Sequence, residues 1–155
     1  MNNEENNNLS VEGTGDLDSK VDVSSPIKPG SIVIYLDAES KFRFRIKSAN
    51  GEIVGHSEGY NTKWACQKGI RAILKIASSA DIQDTVRDNV SQAIGMKVFE
   101  IFKDVEDKFR FRLNASNLET ILASQAYKSK DGCLTGIRSV KNISLNYKLI
   151  DETKK

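Results

Sequence analysis

One histidine, His56, and two cysteines, Cys66 and Cys133, are all that the 155 residues hold of those types. That is too few for a disulfide framework or a cysteine-only zinc site. With no Cys/His cluster beside it, His56 has no material for a metal centre or a histidine-based triad. No apolar run approaches the roughly 18 residues needed to cross a bilayer. The first residues, Met1-Asn2-Asn3-Glu4-Glu5, have neither the basic start nor the apolar stretch of a secretory signal, so the cytoplasm is the expected location. No phosphate-binding Gly-rich loop opens a helix. The acids are scattered in turns without a dedicated pair. An enzyme, a metal site, a bound cofactor and a membrane partner are therefore not expected.

What is present divides into a tail and a body. Residues 1–30 carry Glu4, Glu5, Glu12, Asp16, Asp18 and Asp22 against Lys20 and Lys28, a net −4, so a total of +2 leaves +6 for the rest. The tail is rich in Asn, Ser, Asp and Gly, without a period, and cannot bury enough surface to offset its ordering entropy. It reads as a disordered solubilising leader that ends at Pro26 and Pro29-Gly30. A mildly basic body is compatible with a polyanion partner but does not require one.

The body opens with an apolar strand, Ile32, Ile34 and Leu36 alternating with Val33 and Tyr35, and a polar turn at Asp37-Ala38-Glu39-Ser40. In Lys41-Phe42-Arg43-Phe44-Arg45 the period of two sends Phe42, Phe44 and Ile46 one way and Lys41, Arg43, Arg45 and Lys47 the other. Asn50-Gly51 signals a hairpin, both residues tolerating positive φ. A third strand follows at about residues 52–58. Thr62 is placed to cap a helix in which Cys66, Gly69/Ile70, Ile73 and Ile76/Ala77 recur at helical spacing. Gly69 inside it costs roughly 1 kcal/mol against Ala, a cost that close approach to the sheet would offset.

Adding 67 to any position from 31 to 77 returns the pattern. The Lys-Phe-Arg-Phe-Arg run reappears as Lys108-Phe109-Arg110-Phe111-Arg112, Cys66 as Cys133, and Gly69-Ile70-Arg71 as Gly136-Ile137-Arg138. Chance does not keep this register over about 45 residues. Gly51 becomes Leu118, which predicts a different loop; His56 becomes Ala123 and Trp64 becomes Asp131. Ile150-Asp151-Glu152-Thr153 echoes Ile82-Gln83-Asp84-Thr85 with one extra residue, and both read as short terminal strands. Ile82, Val86, Val90 and Ile94 at intervals of four add a helical linker after the first. The resulting division is a tail at 1–30, repeat 1 at 31–85, a linker at 86–96 and repeat 2 at 97–153, the two repeats forming one domain.

These segments resemble the YegP-like family, small bacterial and archaeal proteins of unknown function. Val98-Phe99-Glu100-Ile101-Phe102-Lys103-Asp104, Ser57-Glu58-Gly59-Tyr60 with Ser124-Gln125-Ala126-Tyr127, and Gly136-Ile137-Arg138-Ser139-Val140 carry the resemblance, over residues 31–153. It implies an α+β fold of two tandem β-β-β-α-β repeats forming one antiparallel-type sheet, a pseudo-dimer with helices on one face and exchanged C-terminal strands. It brings no catalytic residues to carry over.

The candidate binding face is then Arg43, Arg45, Arg110 and Arg112, on the side of the sheet away from the phenylalanines. Such a patch could contact phosphates. The competing reading is a solvated face with cross-strand pairs to Glu52, Glu58 and Glu119. The patch also lacks exposed stacking aromatics, because the phenylalanines alternate to the other side. Tyr60 and Tyr127 are expected to pack over the core edge with hydrogen-bonded hydroxyls, and Cys66 and Cys133 to be small core residues. The function that follows is a non-enzymatic protein-interaction or self-association module, with weak, salt-dependent nucleic-acid binding as the alternative.

Overall fold

The computed structural model describes residues 28–88 and 97–154. The expected disordered leader, up to residue 27, and most of the linker lie outside the described residues. The elements are β1 (Gly30–Leu36), β2 (Phe42–Lys47), β3 (Ile53–His56), α1 (Lys63–Ile76), β4 (Asp81–Asp84), α2 (Thr85–Asp88), β5 (Val98–Lys103), β6 (Phe109–Asn114), β7 (Thr120–Ala123), α3 (Lys130–Ile143) and β8 (Tyr147–Asp151). The strands form one sheet in the order β4-β5-β6-β7-β3-β2-β1-β8. Two antiparallel meanders meet through a single pair, His56 with Ala123. At the two ends the pairing is parallel: β8 lies beside β1 and β4 beside β5.

The turns follow from their side chains. Asp37 accepts the N–H groups of Glu39 (2.8 Å) and Lys41 (2.9 Å) and closes the β1–β2 turn, with Ser40 at φ 63°. Asp104 does the same for Glu106 and Lys108, with Asp107 at φ 65°. The β2–β3 connection is a three-residue loop, not a two-residue one. Gly51 N–H donates to Ser48 O and Ser48 N–H to Glu52 O, and only Gly51, at φ 89°, is left-handed. The expected change of loop in the second repeat does not occur. Leu118 N–H donates to Ala115 O and Ala115 N–H to Glu119 O, the same bonds, and Leu118 adopts φ 73° in the place of the glycine. The loop is held by main-chain bonds at both ends, so the leucine takes the strain.

Phe44, Phe111, Ile46 and Leu113 are fully buried and share one core with Cys66, Ile70, Ile73, Cys133, Ile137 and Val140 of the helices. Thr62 and Ser129 cap the helices by accepting from Ala65 N–H and Gly132 N–H, both at 3.0 Å. The mid-helix glycines are sites of close approach. A Cβ on Gly69 would lie 2.5 Å from Tyr60 Oη and 3.2 Å from Phe44 Cε2; on Gly136 it would lie 2.4 Å from Tyr127 Oη and 3.1 Å from Phe111 Cε2. Ser57 and Ser124, both buried, end β3 and β7 by accepting the N–H groups of Phe44 (3.0 Å) and Phe111 (2.8 Å). Beyond them Tyr60 pairs with Phe42, and Tyr127 with Phe109.

Each end strand is fastened to the opposite unit. Lys63, first residue of α1, holds Asp151 of β8 at 2.9 Å, and Lys130, first residue of α3, holds Asp84 of β4 at 2.6 Å. The repeat therefore keeps its offset of 67 to the end of the strand: Asp84 matches Asp151, and Ile82 matches Leu149. The extra residue expected between the terminal strands is not there.

Two outcomes test this account. Left-handed leucine costs about 1–2 kcal/mol, so Leu118→Gly should raise the free energy of urea unfolding by roughly 0.5–1 kcal/mol after the entropy of glycine is subtracted. Hydrogen bonds from Thr153 and Lys63 hold the Asp151 carboxyl down to about 2 from its ordinary 3.8. A depressed carboxyl stabilises the fold above the higher value and loses that contribution as pH falls through the lower one. Unfolding followed between pH 5 and pH 2 should thus be steeper in the native chain than in Asp151→Asn.

Candidate functional site

The period of two holds through β2 and β6, and all four candidate arginines lie on the face opposite Phe44 and Phe111. Their partners are not the expected ones. Arg43 Nε donates to Asp37 at 2.6 Å and its Nη1 to the Ser57 carbonyl at 3.1 Å. Arg110 repeats this with Asp104 at 2.7 Å and Ser124 O at 3.5 Å. The bonds to Arg43 and Arg110 hold the carboxyls of Asp37 and Asp104 below their ordinary range. These two arginines are bound into the turn and the end of the next strand. Arg112 sits 3.3 Å from Glu100, a charge pair without good hydrogen-bond alignment. The partners are thus turn aspartates and a β5 glutamate, and not Glu52, Glu58 or Glu119.

Aromatic rings do lie on the arginine face. Tyr35 is opposite Arg43 and Phe102 opposite Arg110 in the strand register. The Arg45 guanidinium covers the Tyr35 ring at 3.8 Å, and that of Arg112 covers Phe102 at 4.0 Å. These rings come from β1 and β5, whose phase relative to the arginines only the pairing register sets. Their faces are already occupied by the guanidinium groups, so they offer no ready platform for a nucleic-acid base.

One row crosses the whole sheet on this face: Gln83, Glu100, Arg112, Ala123, His56, Arg45, Val33, Ile150. Its two halves are related by the offset of 67, and they differ in charge. Arg112 faces Glu100; Arg45 faces Val33, and its buried Nε has no hydrogen-bond partner among the described residues. The neighbouring row repeats the contrast. Lys148, Ser31, Lys47 and Ile53 stand where the other half has Asp81, Val98, Asn114 and Thr120. Asn114 donates to Glu100 at 3.2 Å and accepts from Thr120 at 2.8 Å, closing a polar cluster that the first half lacks.

A family profile described as a domain of unknown function, DUF1508, matches residues 37–84 and again 104–151. The chain belongs to this family. A UPF0339 protein encoded in the ptx operon 5′ region of Stutzerimonas stutzeri is 34% identical over 122 residues, which cover 79% of this chain and 96% of that one. The UPF0339 protein YegP of Escherichia coli O157:H7 is 33% identical over 116 residues, 75% of this chain and 91% of that one. The solution structure of Escherichia coli YegP, described as a protein of unknown function, superposes with a TM-score of 0.64 at 26% identity over 83% of this chain and 97% of that one.

Each DUF1508 unit begins at the aspartate that binds its arginine and ends at the aspartate that binds the opposite helix. The residues that recur between units are therefore explained by the fold. Tyr60 and Tyr127 back the mid-helix glycines, as expected of core-edge rings, although the buried Tyr127 hydroxyl finds no hydrogen-bond partner among the described residues. Cys66 and Cys133 are fully buried, and burial pushes their thiols up to about 11 and about 12. Such thiols are poor nucleophiles at neutral pH. Asn50, Glu52, Tyr127, Thr135 and Ser139 line a cleft of about 520 Å³ between the β2–β3 loop and α3. Among the described residues no three His, Cys, Asp or Glu side chains gather as a metal site, and no helix is long and apolar enough to cross a membrane. Because Arg43 and Arg110 are hydrogen-bonded to aspartates and Arg45 only stacks on Tyr35, Arg43→Met and Arg110→Met should each lower the midpoint of urea unfolding more than Arg45→Met does.

Proposed function

We propose that this DUF1508 chain is a non-enzymatic interaction module that associates with a second copy of itself along β8. The two β-β-β-α-β units, with α1 and α3 against the phenylalanine face and the end strands exchanged, leave the outer side of β8 unpaired among the described residues. The observation that carries the reading is the exposure of that strand: Tyr147, Lys148, Leu149 and Ile150 are all exposed, Leu149 at 55%. An exposed apolar edge is a template for another strand.

The register of such a pairing follows from the main chain. Glu152 N–H donates to Ile34 O at 2.8 Å, so the main-chain groups of Lys148 and Ile150 also face β1. Those of Tyr147, Leu149 and Asp151 face outward. An antiparallel pairing about a twofold axis at Ile150 sets Leu149 against Asp151 of the second copy as a hydrogen-bonded pair. It also sets Lys148 against Glu152 twice, matching opposite charges. A closed dimer results, which a head-to-tail contact would not give.

Proline separates edge from ladder, since it removes one N–H. Leu149→Pro should abolish association while leaving the fold, and Ile150→Pro should cost the β1–β8 pairing itself. Light scattering over a concentration series should show a dimer that Leu149→Pro or Leu149→Lys weakens at least tenfold. A native chain that stays monomeric at several hundred micromolar would overturn the reading.

A further inference from the structure

We propose that the half of the arginine face built by β1, β2, β3 and β8 is a binding site for a compact dianion, a phosphomonoester group, held by Arg45, Lys47 and Lys148. Arg45 and Lys47 alternate on one strand, about 6.6 Å apart along it. Lys47 and Lys148 both pair with Ser31, one from each side, so their Cα atoms are separated by two strand spacings, about 9.5 Å. Lysine side chains are long enough to meet over Ser31 from that separation. The floor is Val33, only 2% exposed, beside the partly exposed hydroxyl of Ser31. Among the described residues none of the three cations has an ion-pair partner.

The Arg45 guanidinium is fixed by stacking on Tyr35, with Nε buried. Its two terminal nitrogens are left as donors, a fork suited to paired phosphate oxygens. His56, exposed and directly opposite Arg45, adds a ring at the inner rim. Glu152 follows β8, and in the antiparallel dimer proposed above Glu152 of the second copy faces Lys148, so the site is complete in the monomer and the dianion competes with association.

Size is decided by the other half. At the positions equivalent to Val33 and Lys148 stand Glu100 and Asp81, and Glu100 answers Arg112. A polyanion crossing the sheet from Arg45 would find no further cation for three strand spacings, about 15 Å, and there meets Arg112 already answered by Glu100 one spacing beyond. A compact group meets only the cations. A monocarboxylate would leave two of the three charges unmatched, which favours the dianion.

The test is a titration with phenyl phosphate at low salt, followed by amide chemical shifts, with a single-stranded oligonucleotide as the polyanion arm. Saturable shifts confined to β1, β2, β3 and β8 are expected. Arg45→Gln should weaken them at least tenfold, and Arg112→Gln should not change them. Glu100→Val removes the neutralising acid and should add a weaker second set of shifts on β5 and β6. No saturable response, equal loss in Arg112→Gln, or oligonucleotide binding tighter than phenyl phosphate and spread over both halves would overturn the proposal.

Discussion

A three-stranded meander with one helix has no strand of its own to place beside its first, and in this chain that place is filled from the other unit. β8 runs parallel to β1 and β4 parallel to β5. Parallel neighbours need a long connection: residues 85–97, opening with α2, join β4 to β5, and the rest of the chain separates β1 from β8. Among the described residues the two meanders are joined in the sheet by a single strand pair, His56 with Ala123. The exchanged strands, with the shared core, therefore make one body out of two repeats. The Lys63–Asp151 and Lys130–Asp84 bridges hold each exchanged strand against the start of a helix. There the free N–H groups also favour a carboxylate.

The duplication sorts residues by role. Those that recur are spent on the fold: Asp37 and Asp104 on turns and arginines, Ser57 and Ser124 on strand ends, Gly69 and Gly136 on helix approach. Several that differ lie on the face opposite Phe44 and Phe111. Val33 against Glu100, Lys47 against Asn114, His56 against Ala123 and Lys148 against Asp81 give one half a positive charge and the other a neutral-to-negative one. The mid-helix glycines admit no such change, because a Cβ on either strikes a tyrosine and a phenylalanine.

The fold was largely legible in the chain. The period of two through Phe42–Lys47 and the period of 3.6 through Lys63–Ile76 are local signals, and the repeat supplied each a second time. The Asp37–Arg43 bridge was not legible, because nothing in a pattern of alternation says that a turn aspartate curls back over the next strand. Nor was the loop at Leu118, where the hairpin geometry overrode the preference of leucine. The half-buried aromatics on the arginine face were missed for a related reason. Tyr35 and Phe102 lie in strands whose phase against β2 and β6 depends on pairing.

The four-arginine patch shows where the boundary falls. Alternation alone determined that Arg43, Arg45, Arg110 and Arg112 share a face, that the phenylalanines do not, and that the whole pattern occurs twice. Only the tertiary structure decided that Arg43, Arg110 and Arg112 have acidic partners and Arg45 has none among the described residues. Side-chain direction is set by neighbours along the chain, within a few residues. Charge compensation is set by neighbours across the sheet, and the acid missing from Arg45 is a valine one strand away.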